Sequence, residues 1–354
     1  MTIKKILIPQ HTKIRETYSI DRFLGEGTFG GVYKARHKYL GIQALKIFHP
    51  GIISKEQEPE LFNEAFILSR ITHENIVRVY EANTFEFDGN RYCYIAMEYV
   101  KGGTLADYIA SRIRLPLEVA IKIEREICFG LLKLHSLIPP LVHRDVKPQN
   151  VMLAIQESEI IAKVSDFGLA KHVDPVTRIT EAAGTLAYLP PEGFWDYETP
   201  ASDVFSAGII FYMMLTGVSP YKMPSGYQST KKSELKSAIQ VSRNRPPDPP
   251  SKFNGDLDSE IDNIVLKALE PDMRNRYKTA REFYSAIETY EEKKFRIPDE
   301  NIKKALQLGK QYNSLKEAIK LLEDAIAQQP KERRQKLLEE YDETLKNWRK
   351  GVIM

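Results

Sequence analysis

Three side chains in the stretch LVHRDVKPQN (141–150) could together carry out group-transfer chemistry. Asp145, Lys147 and Asn150 lie two and three residues apart, so a proton acceptor, a cation and an amide oxygen share one short loop. Asp166 follows in SDFGLA (165–170) and adds a second hard oxygen ligand. Moving a phosphoryl group requires a group that orients the attacking hydroxyl, a cation near the migrating charge and oxygen ligands for a divalent metal ion. The spacing therefore predicts phosphoryl transfer.

The order of these residues resembles the catalytic core of eukaryotic-type (Hanks-type) Ser/Thr protein kinases: His-Arg-Asp, Lys-Pro and Asn, then Asp-Phe-Gly. The resemblance implies an α+β, bilobal kinase fold, with a β-rich small lobe over about 18–98 and a helical large lobe over about 101–294. It also implies that Asp145 accepts the proton of the substrate hydroxyl and that Lys147 neutralises charge on the phosphate. Asn150 and Asp166 would bind Mg²⁺, or Mn²⁺ in its place. The compact lobes favour the bacterial eukaryotic-like type.

A glycine-rich turn near the start of the chain carries Gly25, Gly27 and Gly30 in a G-x-G-x-x-G pattern. Dinucleotide-binding folds use the same pattern, but there the turn opens a helix. Here GVYKARHK (31–38) continues as a strand, with alternating apolar residues. We therefore predict a strand–loop–strand flap whose backbone N–H groups lie over the phosphates of a nucleotide.

Lys46 lies in the apolar strand GIQALKIF (41–48), where its neighbours Leu45 and Ile47 face the opposite side. A lysine in such a strand can be a solvated edge residue, but its place after the glycine turn favours phosphate binding. The helical pattern LFNEAFILSRI (61–71) offers Glu64 as its carboxylate partner. We predict a Lys46–Glu64 ion pair.

The apolar strand and glycine break YCYIAMEYVKGG (92–103) resemble the segment that joins the two kinase lobes. Met97 would lie at the back of the adenine pocket, and Glu98 and Val100 would present main-chain groups to the adenine edge. In full, the resemblance assigns the ATP contacts to Leu24, Gly25, Gly27, Gly30, Val32, Ala44, Lys46, Met97, Glu98, Val100 and Met152.

Arg144, immediately before Asp145, makes the chain resemble the Arg-Asp type of kinase, in which the arginine requires an anion from the activation segment (166–192). We predict autophosphorylation at Thr177 or Thr180. Glu181 would supply a carboxylate that partly substitutes for phosphate, although it could equally be a solvated loop residue. Thr185 resembles the threonine that, with Lys147, marks the Ser/Thr-specific class.

The resemblance assigns structural roles to four further residues. His143 stands beside the catalytic aspartate, yet we predict that it packs in the core and transfers no proton. Glu192 and Arg276 would form a buried ion pair. Asp203 would hydrogen-bond the backbone of the catalytic loop.

Composition excludes several other classes of protein. The chain of 354 residues has 51 basic and 48 acidic residues, and a net charge of +3 gives no indication of a nucleic-acid partner. Its two cysteines, Cys93 and Cys128, lie in apolar stretches, which predicts buried thiols. No stretch approaches the ~20 apolar residues of a membrane helix. We expect a cytoplasmic protein with no membrane span that acts on protein substrates.

Beyond an N-terminal tail (1–17) and the kinase-like region (18–294), the composition becomes helical and charged over 295–354. NIKKALQLGKQYNSLKEAIKLLEDAIAQQP (301–330) resembles one tetratricopeptide repeat, with Ser314-x-x-Glu317 as a capping box. A third helix would carry the apolar stripe Leu337, Leu338, Tyr341, Leu345 and Trp348. A single repeat cannot bury its own core. The helices could pack on the large lobe, continue into further chain or bind a partner.

Two alternatives to an active kinase remain. A pseudokinase scaffold would bind nucleotide without transfer, but such proteins usually lack Lys46, Asp145 or Asp166, and all three are present. An interaction protein, in which the C-terminal helices recruit a partner, is compatible with catalysis.

Overall fold

The small lobe is an antiparallel sheet with a helix packed against it. The computed structural model describes residues 7–27, 30–156, 159–167, 187–195, 197–221 and 232–353. The elements of this lobe are β1 (Lys13–Ile14), β2 (Tyr18–Gly27), β3 (Gly30–His37), β4 (Gly41–Phe48), α1 (Glu58–Ser69), β5 (Val79–Phe87) and β6 (Asn90–Glu98). The strands lie in the order β1-β2-β3-β4-β6-β5.

Period-two alternation in β4 and β6 divides the small lobe into two cores. Leu45 and Ile47 join Tyr92 and Tyr94 in a cluster on one face of the sheet. Ala44, Phe48, Cys93, Ile95 and Met97 face the other side and belong to a core that continues into the large lobe. Because side chains alternate along a strand, Lys46 lies on the second face, with Ala44. The free thiols Cys93 and Cys128 are buried, as predicted.

The helical lobe is built around α4 (Pro200–Thr216), whose side chains are nearly all buried. Helix α3 (Leu117–His135) packs against α4, and α7 (Ala280–Glu291) packs against α3. Gly217 ends α4 with a φ of 75°, and a Cβ there would lie 1.9 Å from the Ile113 carbonyl oxygen. The other elements are α2 (Leu105–Ala110), the hairpin β7 (Val151–Gln156) and β8 (Glu159–Val164), α5 (Lys232–Arg243) and α6 (Ser259–Ala268).

Backbone hydrogen bonds connect the loop after α1 to β8 of the large lobe. Val164 N–H donates to the Asn75 carbonyl at 2.9 Å, and Val77 N–H donates to the Val164 carbonyl at 2.9 Å. The Asn75 amide donates to Ala162 at 3.0 Å. A Cβ on Gly130 would lie 2.6 Å from the Asn75 carbonyl oxygen, so glycine lets α3 approach this loop closely. The two lobes are therefore joined here as well as through the strand β6.

Glu124 is a carboxyl group buried completely within α3. Its Oε1 accepts only a long hydrogen bond of 3.9 Å from Cys128, and its Oε2 has no partner among the described residues. Burial raises the pKa of Glu124 well above its ordinary value, because it favours the uncharged carboxyl group in the folded protein.

Because the unfolded chain ionises Glu124 near its ordinary pKa, folding becomes less favourable as pH rises. Relative to Glu124→Gln, we expect the wild type to lose up to about 1.4 kcal/mol of unfolding free energy per pH unit as pH rises above the ordinary glutamate pKa of about 4.3. Urea denaturation of both proteins at a series of pH values above that pKa measures the difference. The exposed substitution Glu339→Gln is the control. A difference in unfolding free energy between wild type and Glu124→Gln that is constant with pH contradicts the prediction.

The C-terminal residues form three helices that share a core of their own. They are α8 (Ile297–Leu308), α9 (Leu315–Ala327) and α10 (Lys331–Arg349). Trp348 lies directly on Gly309, where a Cβ would be 2.0 Å from the indole ring. Two predictions were wrong: Ser314 makes no side-chain cap hydrogen bond, and Leu338 of the predicted stripe is 49% exposed. The shared core contains Ile302, Ala305, Leu315, Ala318, Leu322, Ala325, Ile326, Leu345 and Trp348.

These helices, residues 297–349, are attached to the large lobe without a linker. Helix α7 continues through a π-helical turn (Glu292–Arg296) into α8, and Phe295 in that turn packs in the core of the large lobe. Arg333 of α10 forms ion pairs with Glu118 of α3 and, at 2.9 Å, with Asp299 of α8. Of the three arrangements considered for the C-terminal helices, packing on the large lobe is the one observed. No helix in the described ranges is long and apolar enough to cross a bilayer.

Candidate active site

The catalytic loop brings Asp145, Lys147 and Asn150 into direct contact. Lys147 Nζ lies 2.8 Å from Asp145 Oδ2. The Asn150 amide nitrogen donates to the same carboxylate oxygen at 2.9 Å and to the Asp145 carbonyl at 2.8 Å. The other carboxylate oxygen, Asp145 Oδ1, is buried and has no hydrogen-bond partner among the described residues. One oxygen is thus held in place, and the second has unused hydrogen-bonding capacity.

Asp203, at the start of α4, holds the backbone of this loop. Its carboxylate accepts the N–H groups of His143 at 2.8 Å and Arg144 at 2.9 Å, and it lies 2.8 Å from His135 Nε2. Burial acts to raise the pKa of Asp203, but the hydrogen bond and charge of His135 outweigh it, and the pKa is lowered. Sequence reasoning missed His135, which ends α3 and carries no motif of its own.

His143 is fully buried and serves as a packing residue between the catalytic loop and Asp166. Its Nε2 lies 2.9 Å from the Ser165 carbonyl oxygen, and its ring meets the Phe167 ring edge-on at 5.1 Å. Its Nδ1 accepts the Asp145 N–H at 3.3 Å. Both ring nitrogens are therefore engaged with backbone groups, an arrangement that fits the structural role predicted for His143.

Lys46 forms an ion pair with Asp166, at 2.8 Å between Nζ and Oδ2. Burial acts to raise the pKa of Asp166, but the charge and hydrogen bond of Lys46 outweigh it, and the pKa is lowered. Asp166 adopts a left-handed backbone with a φ of 64°, which is strained for a non-glycine residue. Glu64 is 9% exposed on α1. The Lys46–Glu64 ion pair stays a prediction.

A cleft of about 930 Å³ lies between the lobes and contains most of the predicted nucleotide contacts. Gly30 is the exception: it lies in β3 against β4, where a Cβ would be 2.0 Å from the Ile47 carbonyl oxygen. Glu98 pairs with Lys163 at 3.1 Å, so its carboxylate is engaged elsewhere. The predicted residues that line the cleft are Leu24, Gly25, Gly27, Val32, Ala44, Lys46, Met97, Glu98, Val100, Asp145, Lys147, Asn150, Met152 and Asp166.

Several cleft residues were not identified from the sequence. Tyr99, Gly102, Gly103, Thr104, Asp107 and Gln149 also line it. Thr104 and Asp107 form the capping box that starts α2, with 2.7 Å between the hydroxyl and the carboxylate. The T-x-x-D spacing after two glycines is the sequence signal that could have identified this helix start. Gly102 has a φ of 136°, and a Cβ there would lie 2.1 Å from the Leu153 carbonyl oxygen.

Asn150 and Asp166 are the residues that could hold a divalent cation. The Asn150 amide nitrogen is bound to Asp145, so the amide oxygen is the atom that Asn150 can offer to a metal. Within the described ranges there is no cluster of three or more His, Cys, Asp and Glu side chains suited to a metal. One carboxylate and one amide oxygen suit Mg²⁺, which usually keeps several waters and binds substrate phosphates.

The Glu192–Arg276 pair connects the segment that follows the catalytic centre to the helical lobe. Arg276 Nη1 lies 2.7 Å from Glu192 Oε1, and Arg276 also donates to the Ala201 carbonyl at 2.9 Å. Both side chains are buried, and the Ser202 hydroxyl donates to Glu192 at 2.8 Å. The predicted regulatory residues Thr177, Thr180, Glu181 and Thr185 lie outside the described residues.

Comparison with known proteins agrees with this geometry. The family model described as "Protein kinase domain" matches residues 18–287. The chain belongs to the protein kinase family. The probable serine/threonine-protein kinase CPE1738 of Clostridium perfringens is 34% identical over 77% of this chain and 38% of its own length. PknB of Mycobacterium leprae is 32% identical over 77% of this chain and 42% of its own length.

The kinase fold also matches solved structures. The kinase domain of Mycobacterium tuberculosis PknI aligns with a TM-score of 0.60 and 25% identity, over 80% of this chain and 99% of that domain. The bacterial relatives group the kinase with the eukaryotic-like Ser/Thr type. The chain spans about two fifths of the full length of CPE1738 and of the M. leprae PknB.

Proposed function

We propose that this kinase transfers the γ-phosphate of Mg-ATP to serine and threonine hydroxyls of proteins. The observation that carries the proposal is the buried, unpartnered Asp145 Oδ1 beside an anchored Oδ2. A buried acceptor without a partner is costly, so it indicates a site meant for a donor that arrives with the substrate. A substrate hydroxyl is such a donor.

Each residue of the site has a definable part in this reaction. Bound Mg-ATP supplies the phosphoryl group and a metal ion that neutralises its charge. Asp145 Oδ1 accepts the hydroxyl proton and aims the oxygen. Lys147 Nζ lies 2.8 Å from Asp145 Oδ2. From there it would neutralise charge on the phosphate as the phosphate moves from ATP to the hydroxyl. Lys46 keeps Asp166 ionised, and Asn150 and Asp166 offer the oxygens for Mg²⁺, or for Mn²⁺ in its place.

The experiment is transfer of labelled γ-phosphate from Mg-ATP to a generic protein acceptor, followed by phosphoamino-acid analysis. We expect label on serine and threonine, dependent on Mg²⁺ or Mn²⁺ and abolished by a chelator. Label on tyrosine alone contradicts the proposed specificity. Nucleotide binding without any transfer would favour the pseudokinase alternative.

Lys46→Met should change the pH dependence of this activity. Removing the lysine removes the main influence that lowers the Asp166 pKa, so the carboxylate protonates at higher pH. We expect the acid limb of the kcat/KM profile to move to higher pH and the rate at neutral pH to fall by about 10²–10³-fold. Lys122→Met, at an exposed pair with Glu159, is the control. An unmoved acid limb contradicts this role of Lys46.

We further propose that Thr177 or Thr180 is autophosphorylated and that the kinase acts in the cytoplasm, where ATP and reduced thiols are present. Mass spectrometry after incubation with Mg-ATP tests the first point. Phosphate on neither threonine contradicts it.

We propose that the kinase domain continues past residue 294, because Phe295 packs in the large-lobe core. Residues beyond the π-helical turn would then form a helical extension, which could also contact a protein partner. A chain ending at Arg296 should unfold cooperatively, and one ending at Lys294 should have a lower thermal midpoint. Equal midpoints contradict this boundary.

A further inference from the structure

Arg144 occupies a strained position immediately before the catalytic aspartate. Its backbone is left-handed, with a φ of 70°, and its N–H is held by Asp203 at 2.9 Å. Its side chain is 29% exposed, so the guanidinium charge is largely withdrawn from water. A charge that is largely withdrawn from water is energetically costly unless an opposite charge compensates it. The anion that compensates Arg144 therefore bears directly on the order of the catalytic loop.

Among the described residues, the carboxylate paired with Arg144 is that of Glu198. Glu198 Oε2 lies 3.3 Å from Arg144 Nε, and the Glu198 side chain is only 6% exposed. Arg144 Nε makes no hydrogen bond in the described part of the chain, so the contact is a charge pair without hydrogen-bond alignment. The attraction between the two charges depends on their separation and does not require hydrogen-bond alignment.

The position of Glu198 is fixed by the start of α4. The next residue, Thr199, caps that helix through reciprocal contacts with Ser202, including a 3.0 Å hydrogen bond from its N–H. In the first turn of the same helix, Asp203 holds the backbone N–H groups of His143 and Arg144. One rigid helix end therefore supports both the backbone and the side-chain charge of the catalytic loop.

We propose that Glu198 is a permanent counterion for Arg144 and a positioning residue for Asp145. This rests on the proposed function. It adds a regulatory consequence, because a carboxylate encoded in the chain is present whether or not the activation segment is phosphorylated. The catalytic loop is then ordered in the unphosphorylated kinase, and phosphate on that segment adjusts the activity without being required for it.

The test compares phosphatase-treated wild type, Glu198→Gln, Arg144→Gln and the double variant, each verified free of phosphate by mass spectrometry. We expect the dephosphorylated wild type to retain transfer to a generic protein acceptor. Glu198→Gln should lower kcat by about 5- to 150-fold, a typical coupling, with little change in the KM for ATP. Autophosphorylation should restore the kcat of Glu198→Gln. In the Arg144→Gln background, Glu198→Gln should have no further effect.

Glu159→Gln, on the exposed β7–β8 hairpin, is the matched control. Equal kcat for the dephosphorylated wild type and Glu198→Gln overturns the proposal. So does a double variant whose loss of kcat is the product of the losses in the two single variants. A dephosphorylated wild type that is inert while its phosphorylated form is active also overturns it and leaves the proposed function standing. Absence of transfer by every form contradicts the proposed function itself. If Glu198→Gln fails to fold, recovery of folding in the double variant supports the pairing, and failure of both overturns it.

Discussion

Replacing Asp145 by alanine is expected to slow phosphoryl transfer by about 10²–10⁴-fold. The substitution removes Oδ1, the buried acceptor, and releases Lys147 and Asn150, which both contact Oδ2. ATP binding should change little, because the adenine and phosphate contacts predicted along β2, β3, β4 and β6 are left in place. The loss should therefore appear in kcat, with the KM for ATP nearly unchanged.

The measurement is steady-state transfer to a protein acceptor, together with direct nucleotide binding. Asp342→Ala is the control, because Asp342 lies on α10 in an exposed pair with Lys346. A normal kcat for Asp145→Ala is incompatible with the role given to this side chain. A parallel loss of nucleotide binding and of phosphoryl transfer is incompatible with it as well.

The second large effect is on stability. Replacing Glu192 by alanine is expected to lower the unfolding free energy by about 3–5 kcal/mol, because Arg276 would remain as a buried charge without its partner. Arg276 is 2% exposed and keeps contacts to carbonyl oxygens, which compensate only part of the lost charge. Glu192→Met combined with Arg276→Met should cost much less than either single change, since no unpaired charge is left.

Denaturant unfolding monitored by circular dichroism gives these free energies. Glu260→Gln breaks the exposed Glu260–Lys293 pair and should cost less than about 1 kcal/mol. If Glu192→Ala costs no more than this control, the buried pair is not a stabilising element. A double methionine variant less stable than both singles contradicts the explanation by unpaired charge.

Local sequence was sufficient to predict the placement of Lys46 and of the three catalytic-loop residues. The alternation in β4 predicted that Lys46 faces away from Leu45 and Ile47, and the loop spacing predicted that Asp145, Lys147 and Asn150 meet. The first prediction follows from the two-residue periodicity of a strand. The second follows from the short stretch of sequence that contains the three loop residues. The kinase fold, predicted from the same motifs, is confirmed by the family match and by the solved relatives.

Contacts between distant segments were not predictable in the same way. The pairing of Glu198 with Arg144 and the hydrogen bond of Asn75 to Ala162 depend on how whole elements pack, which no local pattern encodes. Exposure does not follow from helical periodicity alone: Phe66 lies in the helical pattern of residues 61–71, yet it is 57% exposed.

The central claim, transfer from ATP to a hydroxyl positioned at Asp145, is tested most directly by counting products. ADP formed and phosphate incorporated into serine and threonine of an acceptor protein should be measured in one reaction, for wild type and Asp145→Ala side by side. We predict that the wild type incorporates one phosphate, counted on acceptor and kinase together, for each ADP formed, and that Asp145→Ala forms ADP and incorporates phosphate far more slowly. ADP formation without acceptor phosphorylation, or equal incorporation by both proteins, would contradict the account.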